Sequence, residues 1–311
     1  MLTVLRNPKL IWMLVRILIM TQIAGLILGN LVYKQSSLPR KIVYDEVTIN
    51  RTINYIFGDE KPEMEPIHLM SDSGYNMVGT YFPNPVKTQN TMIVVHGIGD
   101  VRWGMLRVTK WFLDLGFNVV IYDSRASGET GGKDITLGYY EKDDLQKWVD
   151  LMSSKRPDGV LGVFGNSMGG SIAILQAEEN EIHRKVDFYV VDSPYSNLKD
   201  EIHFQVSYSY SVLTNVMVFY SNIINKIRSG FYYEEVNPLE SIKSVSVPIL
   251  FFHGDSDGTI PVYMTNDLYD AKDDGDKSIL IVKGADHLES YFTEPDIYMK
   301  KLRSFVLNQL P

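Results

Sequence analysis

Six short apolar runs recur along the chain from Thr91 onward, and helix-like stretches separate most of them. Each run is rich in Val, Ile and aromatic residues and ends close to a glycine, a serine or an aspartate. Near-continuous apolar character of this kind is typical of strands buried on both faces of a parallel sheet. The runs occupy residues 91–97, 118–124, 160–167, 186–193, 248–255 and 278–287. The alternation predicts an α/β fold with a mostly parallel sheet and helices on both faces.

Two earlier segments alternate polar and apolar residues, as strands with one face toward the core do. We predict an antiparallel strand at residues 43–49 and a hairpin across residues 67–84 that turns at Ser73 and Gly74. These strands would form one edge of the sheet, for which we expect eight strands in all.

Three stretches have helical spacing, at residues 139–154, 171–179 and 293–310. In the last of them Thr293 stands where an N-cap residue is expected. The predicted apolar stripe of that helix consists of Ile297, Leu302, Phe305, Val306 and Leu310.

An insertion interrupts the pattern at residues 195–240, because the distance between the flanking strands is too long for a simple crossover. We predict two mostly helical pieces that carry aromatic residues on more than one side. Two interpretations remain open: the segment caps the sheet, or it forms a lid whose inner face lines an apolar substrate pocket.

The segment from Leu10 to Tyr33 is mainly apolar and contains Arg16 as its only charge. Its length suits the roughly 20 residues that span a bilayer, and Arg16 lies in the first third, where a long side chain reaches the head groups. We predict an N-terminal transmembrane helix. The alternative is a cleaved signal peptide that begins with Arg6, Lys9 and Arg16, although no clear small-x-small cleavage site follows it.

Basic residues flank this segment on both sides, so the charge rule sets no orientation. We expect a single-pass membrane protein whose α/β domain lies on the extracytoplasmic side. The predicted organisation is an anchor and linker at residues 1–40, followed by an α/β domain at residues 41–311 that contains the insertion.

Charge and composition exclude several functions. The 38 acidic residues outnumber the 30 basic ones and give a net charge of -8, which opposes sequence-independent binding to nucleic acid. The chain has no cysteine, so a disulfide, a thiol nucleophile and a thiolate metal site are all excluded.

Ser167 is the candidate nucleophile. It stands in the sequence GNSMGG at residues 165–170, at the end of a predicted strand and directly before a predicted helix. This strand, turn and helix context is typical of a nucleophile elbow, in which Gly165 and Gly169 allow the strand and the helix to pass close together. A serine hydroxyl needs a base to remove its proton, usually a histidine oriented by a carboxylate.

His287 is the best candidate for that base, because it follows the last predicted strand and precedes the last helix. We interpret His96 and His253, which each precede a glycine at a strand end, as loop-shaping residues. His68, His183 and His203 are more readily explained as solvated or structural side chains.

The carboxylate partner is predicted to be Asp257, in the loop HGDSDGTIP that follows a strand. Asp255 is the second candidate and Asp192 the third. Asp286 is adjacent to His287 in sequence, so its side chain is expected to point elsewhere.

These motifs resemble those of the α/β-hydrolase superfamily, in its serine aminopeptidase-like or monoglyceride-lipase-like branch. The motifs HGIGD, DSRASGETGG, GNSMGG, HGDSD and GADH follow one another in the order and spacing of that branch. The resemblance extends from about Val43 to the C-terminus and is closest to bacterial membrane-anchored esterase-like members and their eukaryotic ABHD relatives. It implies the α/β-hydrolase fold and a triad in the chain order Ser167, Asp257, His287.

The resemblance also implies an oxyanion hole formed by two backbone N–H groups. Met168 follows the nucleophile and would supply one, and Ile98 in the HGIGD loop would supply the other. One departure is visible: the family's Asp-x-Arg-Gly-x-Gly turn has Ala126 in place of its first glycine.

The sequence therefore predicts a serine esterase that forms an acyl-enzyme, acts on hydrophobic or lipid-like esters and needs no metal or organic cofactor. A serine nucleophile argues against epoxide hydrolysis and dehalogenation, which use a carboxylate in this fold. The alternatives are an acyltransferase or a peptidase with the same triad, and a non-catalytic membrane-tethered binding protein.

Overall fold

The computed structural model describes residues 8–311 and divides them into two compact units. One unit consists of the N-terminal segment through Leu38 together with Lys199–Glu235. The other consists of Pro39–Leu198 and Val236–Pro311. Residues 1–7 of the predicted anchor, including Arg6, lie outside the described residues.

The larger unit is built on a single eight-stranded sheet in the order β1-β2-β4-β3-β5-β6-β7-β8. The strands are β1 (Glu65–Met70), β2 (Asn76–Phe82), β3 (Thr91–Val95), β4 (Asn118–Tyr122), β5 (Leu161–Asn166), β6 (Phe188–Asp192), β7 (Ile249–Gly254) and β8 (Lys277–Val282). Strand β2 is antiparallel to β1 and β4, and every other pair is parallel. The predicted hairpin edge and the mostly parallel sheet of eight strands are both confirmed.

The described residues of the two units contain eleven α-helices. They are α1 (Pro8–Ser37), α2 (Glu46–Phe57), α3 (Leu106–Asp114), α4 (Glu141–Lys155), α5 (Met168–His183), α6 (Leu198–Tyr210), α7 (Thr214–Ser229), α8 (Pro238–Ser241), α9 (Tyr263–Ala271), α10 (Ser290–Thr293) and α11 (Pro295–Leu307).

Helices cover both faces of the sheet, and the alternation of side chains along each strand explains why. On one face, side chains of α2, α3 and α11 pack against the strands in a continuous apolar core that includes Met92 and Val94 of β3. On the other face, Trp148 of α4 stacks on Tyr122 of β4 with ring centroids 5.1 Å apart. Because both faces are buried, the strands carry the near-continuous apolar runs seen in the sequence.

The strand predicted at residues 43–49 is wrong, because most of that segment belongs to helix α2. Asp45 caps the helix by accepting a hydrogen bond of 2.7 Å from the backbone N–H of Thr48. Ile53 is buried, and Ile49 and Ile56 pack partly buried against the same core. These residues recur at helical spacing, a pattern that extends beyond the seven residues on which the strand prediction rested.

The start of the last helix also differs from the prediction. Thr293 ends the short helix α10, and α11 begins at Pro295 with Glu294 as its N-cap residue. Ile297 is 50% exposed, whereas Tyr298 is fully buried and takes its place in the apolar stripe. A proline is well suited to the first turn of a helix, which accounts for the shift.

In the smaller unit, α1 packs along α7 through two glycines. A Cβ atom at Gly25 would lie 2.1 Å from the Tyr220 ring, and one at Gly29 would lie 2.5 Å from the Ser221 backbone nitrogen. The Tyr33 hydroxyl lies 3.2 Å from the Ser229 hydroxyl at the other end of the contact. The two helices therefore run in the same direction, with their backbones in close approach.

Helix α1 is the one helix within residues 8–311 that is long and apolar enough to cross a membrane. Few of its side chains are buried within the protein, and its buried residues lie in its second half. Side chains such as Ile17 and Leu18 are at least half exposed. These properties fit a membrane span by length and composition.

The turn after β4 contains the departure noted in the sequence. Ala126 adopts a φ of 55°, in the left-handed region that favours glycine. Gly128 follows at a φ of 49°, and a Cβ there would lie 2.3 Å from Asp123 Oδ2. The backbone is therefore left-handed at the position where the resemblance leads us to expect glycine, at a conformational cost of roughly 1–2 kcal/mol for alanine.

We predict that Ala126→Gly changes the free energy of unfolding by less than about 0.5 kcal/mol, because relief of the left-handed backbone offsets the lost burial of one methyl group. Ala177→Gly, in the interior of helix α5, is the matched control. It should lower the free energy of unfolding by roughly 1.5–2 kcal/mol, because the lower helix propensity of glycine and the lost burial of the methyl group both destabilise the fold. Urea denaturation measures both values, and equal losses in the two variants would contradict the explanation.

Candidate active site

Ser167 lies on the sharp turn between β5 and α5, and its backbone has a φ of 52° and a ψ of -125°. The two glycines beside it leave room for this turn. A Cβ at Gly165 would lie 2.2 Å from the Gly169 carbonyl oxygen, and one at Gly169 would lie 2.3 Å from the Val95 carbonyl oxygen. Strand and helix therefore approach so closely that side chains are excluded, which is the arrangement expected of a nucleophile elbow.

His287 lies directly beside this serine. It follows the end of β8 and precedes α10, and its Nε2 atom is 3.0 Å from Ser167 Oγ. The His287 side chain is 18% exposed, so the ring is reachable from one side while its other edge faces the protein. The distance is within the range that a general base needs to accept the hydroxyl proton.

Asp257 completes a chain of hydrogen bonds with these two residues. Its Oδ2 atom lies 2.7 Å from His287 Nδ1, while Oδ1 accepts hydrogen bonds of 2.8 Å from the backbone N–H groups of Thr259 and Ile260. The carboxylate is fully buried. The structure therefore brings the three predicted triad residues together, in the geometry that orients an imidazole toward a serine.

Burial by itself would raise the pKa of the Asp257 carboxyl. Hydrogen bonds from His253 and His287 outweigh it and hold that pKa well below its usual range. The carboxylate is therefore ionised at neutral pH and is available as an acceptor for the His287 Nδ1–H group.

The other candidate carboxylates make different contacts. Asp255 accepts a hydrogen bond of 2.6 Å from the Gly284 backbone N–H at the surface. Asp192 is buried and accepts a hydrogen bond of 2.8 Å from the Tyr298 hydroxyl; its burial raises the pKa of its carboxyl. Asp286 accepts from the backbone N–H groups of Gly258 and His287, so its side chain holds the loop rather than the imidazole ring.

His96 links two loops near the site. Its Nε2 atom accepts a hydrogen bond of 2.9 Å from the Ser124 backbone N–H, so Nδ1 carries the hydrogen and donates to the Gly97 carbonyl oxygen at 2.7 Å. These contacts match the loop-shaping role predicted for it.

The histidines interpreted as solvated or structural lie elsewhere. His68 is on edge strand β1 and contacts Asn76, at 3.2 Å. His183 ends helix α5, and His203 belongs to helix α6 of the smaller unit.

His253 has a contact that the sequence analysis did not anticipate. Its Nε2 atom lies 3.1 Å from Asp257 Oδ2, so two imidazole rings face one carboxylate oxygen. The available sequence signal was weak: His253 stands four residues before Asp257, and only the curvature of the intervening loop brings the two side chains together.

The two residues predicted to form the oxyanion hole belong to segments next to Ser167. Met168 is the first residue of α5, and N–H groups in the first turn of a helix have no partner within the helix. The loop that contains Ile98 passes close by, since a Cβ at the preceding Gly97 would lie 3.0 Å from Ser167 Cβ. Within residues 8–311 no group of three His, Asp or Glu side chains is arranged to hold a metal ion.

The chain is similar to one protein-family model and to several known proteins. The family model described as serine aminopeptidase, S33, matches residues 86–238. The Bacillus subtilis protein YqkD is 34% identical over 250 residues, which cover 80% of this chain and 81% of YqkD. The lysophosphatidylserine lipase ABHD12 of Rattus norvegicus is 26% identical over 192 residues, covering 57% of this chain and 44% of ABHD12.

Among solved structures, the Pyrococcus furiosus esterase Pf2001 superimposes with a TM-score of 0.69 at 22% identity. The superposition covers 87% of this chain and 98% of the esterase chain. The two proteins therefore share a fold.

The contacts of the aspartates generate a prediction about the reactivity of Ser167. Asp257→Asn should slow covalent labelling of Ser167 by a fluorophosphonate about 1,000-fold or more, because an amide cannot hold His287 in the required tautomer. Asp255→Asn, two residues away in the same loop, should change the rate by less than about threefold. Intact-mass kinetics measures both rates, and a similar loss in the two variants would contradict the assignment of Asp257.

Proposed function

Because the chain belongs to the serine aminopeptidase-like and monoglyceride-lipase-like branch of the α/β-hydrolase superfamily, we propose that it is a serine hydrolase that cleaves carboxylic esters. The observation that carries this proposal is the continuous chain of hydrogen bonds from Ser167 through His287 to Asp257. The names of two similar proteins, an esterase and a lysophosphatidylserine lipase, agree with ester substrates.

The reaction begins when His287 Nε2 accepts the Ser167 hydroxyl proton as Oγ attacks the ester carbonyl carbon. Asp257 stabilises the imidazolium that forms and keeps its Nε2 edge aimed at the serine. The tetrahedral intermediate then collapses, and His287 returns the proton to the departing alcohol. Ser167 is left esterified with the acyl group of the substrate.

The negative charge on the carbonyl oxygen develops beside the N-terminus of α5. The N–H groups of Met168 and Ile98 are the proposed donors to that oxygen. One such donor typically contributes a 100- to 1,000-fold increase in rate. Because both donors belong to the backbone, their contribution is independent of side-chain identity at these two positions.

The second half of the reaction uses the same groups in the opposite order. A water molecule takes the place of the alcohol, His287 removes its proton, and the resulting attack releases the carboxylic acid. Hydrolysis and acyl transfer differ only in whether water or another acceptor attacks the acyl-enzyme, so the acceptor must be identified by product analysis.

We infer that the acyl group of the substrate is hydrophobic and lipid-like. The inference rests on the smaller unit, which we propose to be a membrane anchor joined to a lid. Residues 204–225 of α6 and α7 contain no charged side chain. Several apolar side chains there are exposed, among them Val212 at 93% and Phe219 at 60%. Helices α6 and α7 form a helical hairpin whose exposed tip contains Val212. Since α7 runs alongside α1 and in the same direction, a bilayer that holds α1 would also receive the tip of this helical hairpin.

The ester proposal predicts hydrolysis of p-nitrophenyl esters, with release of the acid and the alcohol in equal amounts. Ser167→Ala should lower kcat/KM by at least about 1,000-fold, since the nucleophile is lost. The value for the wild-type protein should hold or rise as the acyl chain lengthens from butyrate to dodecanoate. A steady fall with chain length would contradict a lipid-like substrate, and recovery of an acylated added alcohol instead of free acid would identify an acyltransferase.

The anchor proposal can be tested by single-cysteine labelling, because the native chain contains no cysteine. An environment-sensitive fluorophore at Ile17→Cys in α1 or at Val212→Cys in the hairpin should be quenched by spin-labelled lipids in vesicles. The same fluorophore at Asp158→Cys, an exposed site of the larger unit, should be quenched by aqueous iodide only. Iodide quenching at position 212 with lipid quenching at position 17 would leave the anchor intact but place the hairpin outside the bilayer.

A further inference from the structure

His253 occupies a fully buried position against the triad carboxylate. It is the fifth residue of β7, and its Nε2 atom faces two oxygen atoms. These are Asp257 Oδ2, at 3.1 Å, and the Ile260 carbonyl oxygen, at 2.8 Å. Both oxygens are acceptors, so Nε2 carries a hydrogen whether the ring is neutral or protonated.

The opposite edge of the ring is also fixed. His253 Nδ1 lies 2.7 Å from the Thr265 hydroxyl on α9, and that hydroxyl lies 3.4 Å from the Pro194 carbonyl oxygen. The hydroxyl can donate to Nδ1 or accept from it. With partners on both edges and no exposure to solvent, the ring has one orientation.

This orientation completes the set of donors around Asp257. An ionised carboxylate has about four acceptor sites. Two backbone N–H groups donate to Oδ1, and His287 Nδ1 lies 2.7 Å from Oδ2. His253 Nε2 lies 3.1 Å from Oδ2, and its one hydrogen is shared between Oδ2 and the Ile260 carbonyl oxygen. The backbone donors alone fix Oδ1 and leave Oδ2 free to turn about it, so the position of Oδ2 depends on the imidazole donors.

We propose that His253 is a positioning residue, whose Nε2–H group holds Asp257 Oδ2 in line with His287 Nδ1. It acts through Asp257 and does not touch the substrate. The proposal rests on the function proposed above and adds a fourth side chain to the hydrogen-bonded array. Losing this donor should lower kcat by about 10- to 100-fold and leave KM nearly unchanged, because small errors of alignment affect the chemical step more than binding.

Two amide substitutions separate this role from a purely structural one. His253→Gln places an amide N–H near the position of Nε2, whereas His253→Asn places its amide near Nδ1 and leaves Oδ2 without its second donor. Hydrolysis of p-nitrophenyl butyrate by the full-length protein is measured for both variants and the wild type. Each kcat is expressed per active serine, counted with a fluorophosphonate, so that unfolded protein does not contribute.

The expected result is that His253→Gln retains kcat within about threefold of the wild type while His253→Asn loses at least tenfold, with KM within about twofold in both. Equal losses in the two variants, an undiminished kcat in His253→Asn, or a change confined to KM would overturn the proposal. If the wild-type protein neither hydrolyses the ester nor is labelled at Ser167, the proposed function fails, and the role of His253 fails with it.

Thr265→Val gives a second route if His253→Asn does not fold. It removes the hydroxyl that fixes the ring through Nδ1 and leaves Nε2 in place. A loss in kcat of about three- to tenfold at unchanged KM is expected, because the ring is then free to tilt away from Oδ2. Wild-type kcat in this variant would overturn the proposal.

Discussion

The close approach of β5, α5 and β3 around Gly165 and Gly169 is the constraint on which the rest of the site depends. It forces the chain into a turn too sharp for ordinary side chains on either side, and Ser167 at its apex accepts a left-handed backbone. The strain is local and is compensated by the packing of a large, doubly covered sheet. In return, the serine hydroxyl is presented beside His287, and the first N–H groups of a helix are presented beside the serine.

A second constraint is electrostatic. Asp257 is removed from water, which by itself would favour the neutral acid, and four donors offset that penalty. Two of the donors are backbone groups of the loop that carries Asp257, so the loop conformation and the ionisation of the carboxylate depend on each other. The two remaining donors are the imidazole rings of His253 on β7 and of His287 in the loop after β8. Two neighbouring strands of the sheet thus direct histidine side chains to one oxygen atom.

Much of this architecture was predictable from the sequence, for reasons that differ from element to element. The parallel strands were visible because burial on both faces leaves near-continuous apolar runs, and Ser167 stood out because its glycines lie at a junction of strand and helix. The segment at residues 43–49 was mistaken for a strand because alternation over seven residues is also compatible with the first turns of an amphipathic helix. The contact of His253 with Asp257 was not predictable, since it depends on how the loop between them curls.

The choice between Asp255 and Asp257 illustrates the same limit at the scale of a single turn. Both follow the same strand, and the amides of Thr259 and Ile260 select Asp257 by drawing its carboxylate inward.

The central claim is that Ser167 becomes covalently acylated during turnover. The most direct test is to quench the reaction with p-nitrophenyl butyrate in acid during the first turnover and map the protein by mass spectrometry. The account predicts a butyryl group on Ser167 that disappears as acid is released; turnover without any acyl group on that serine would contradict it.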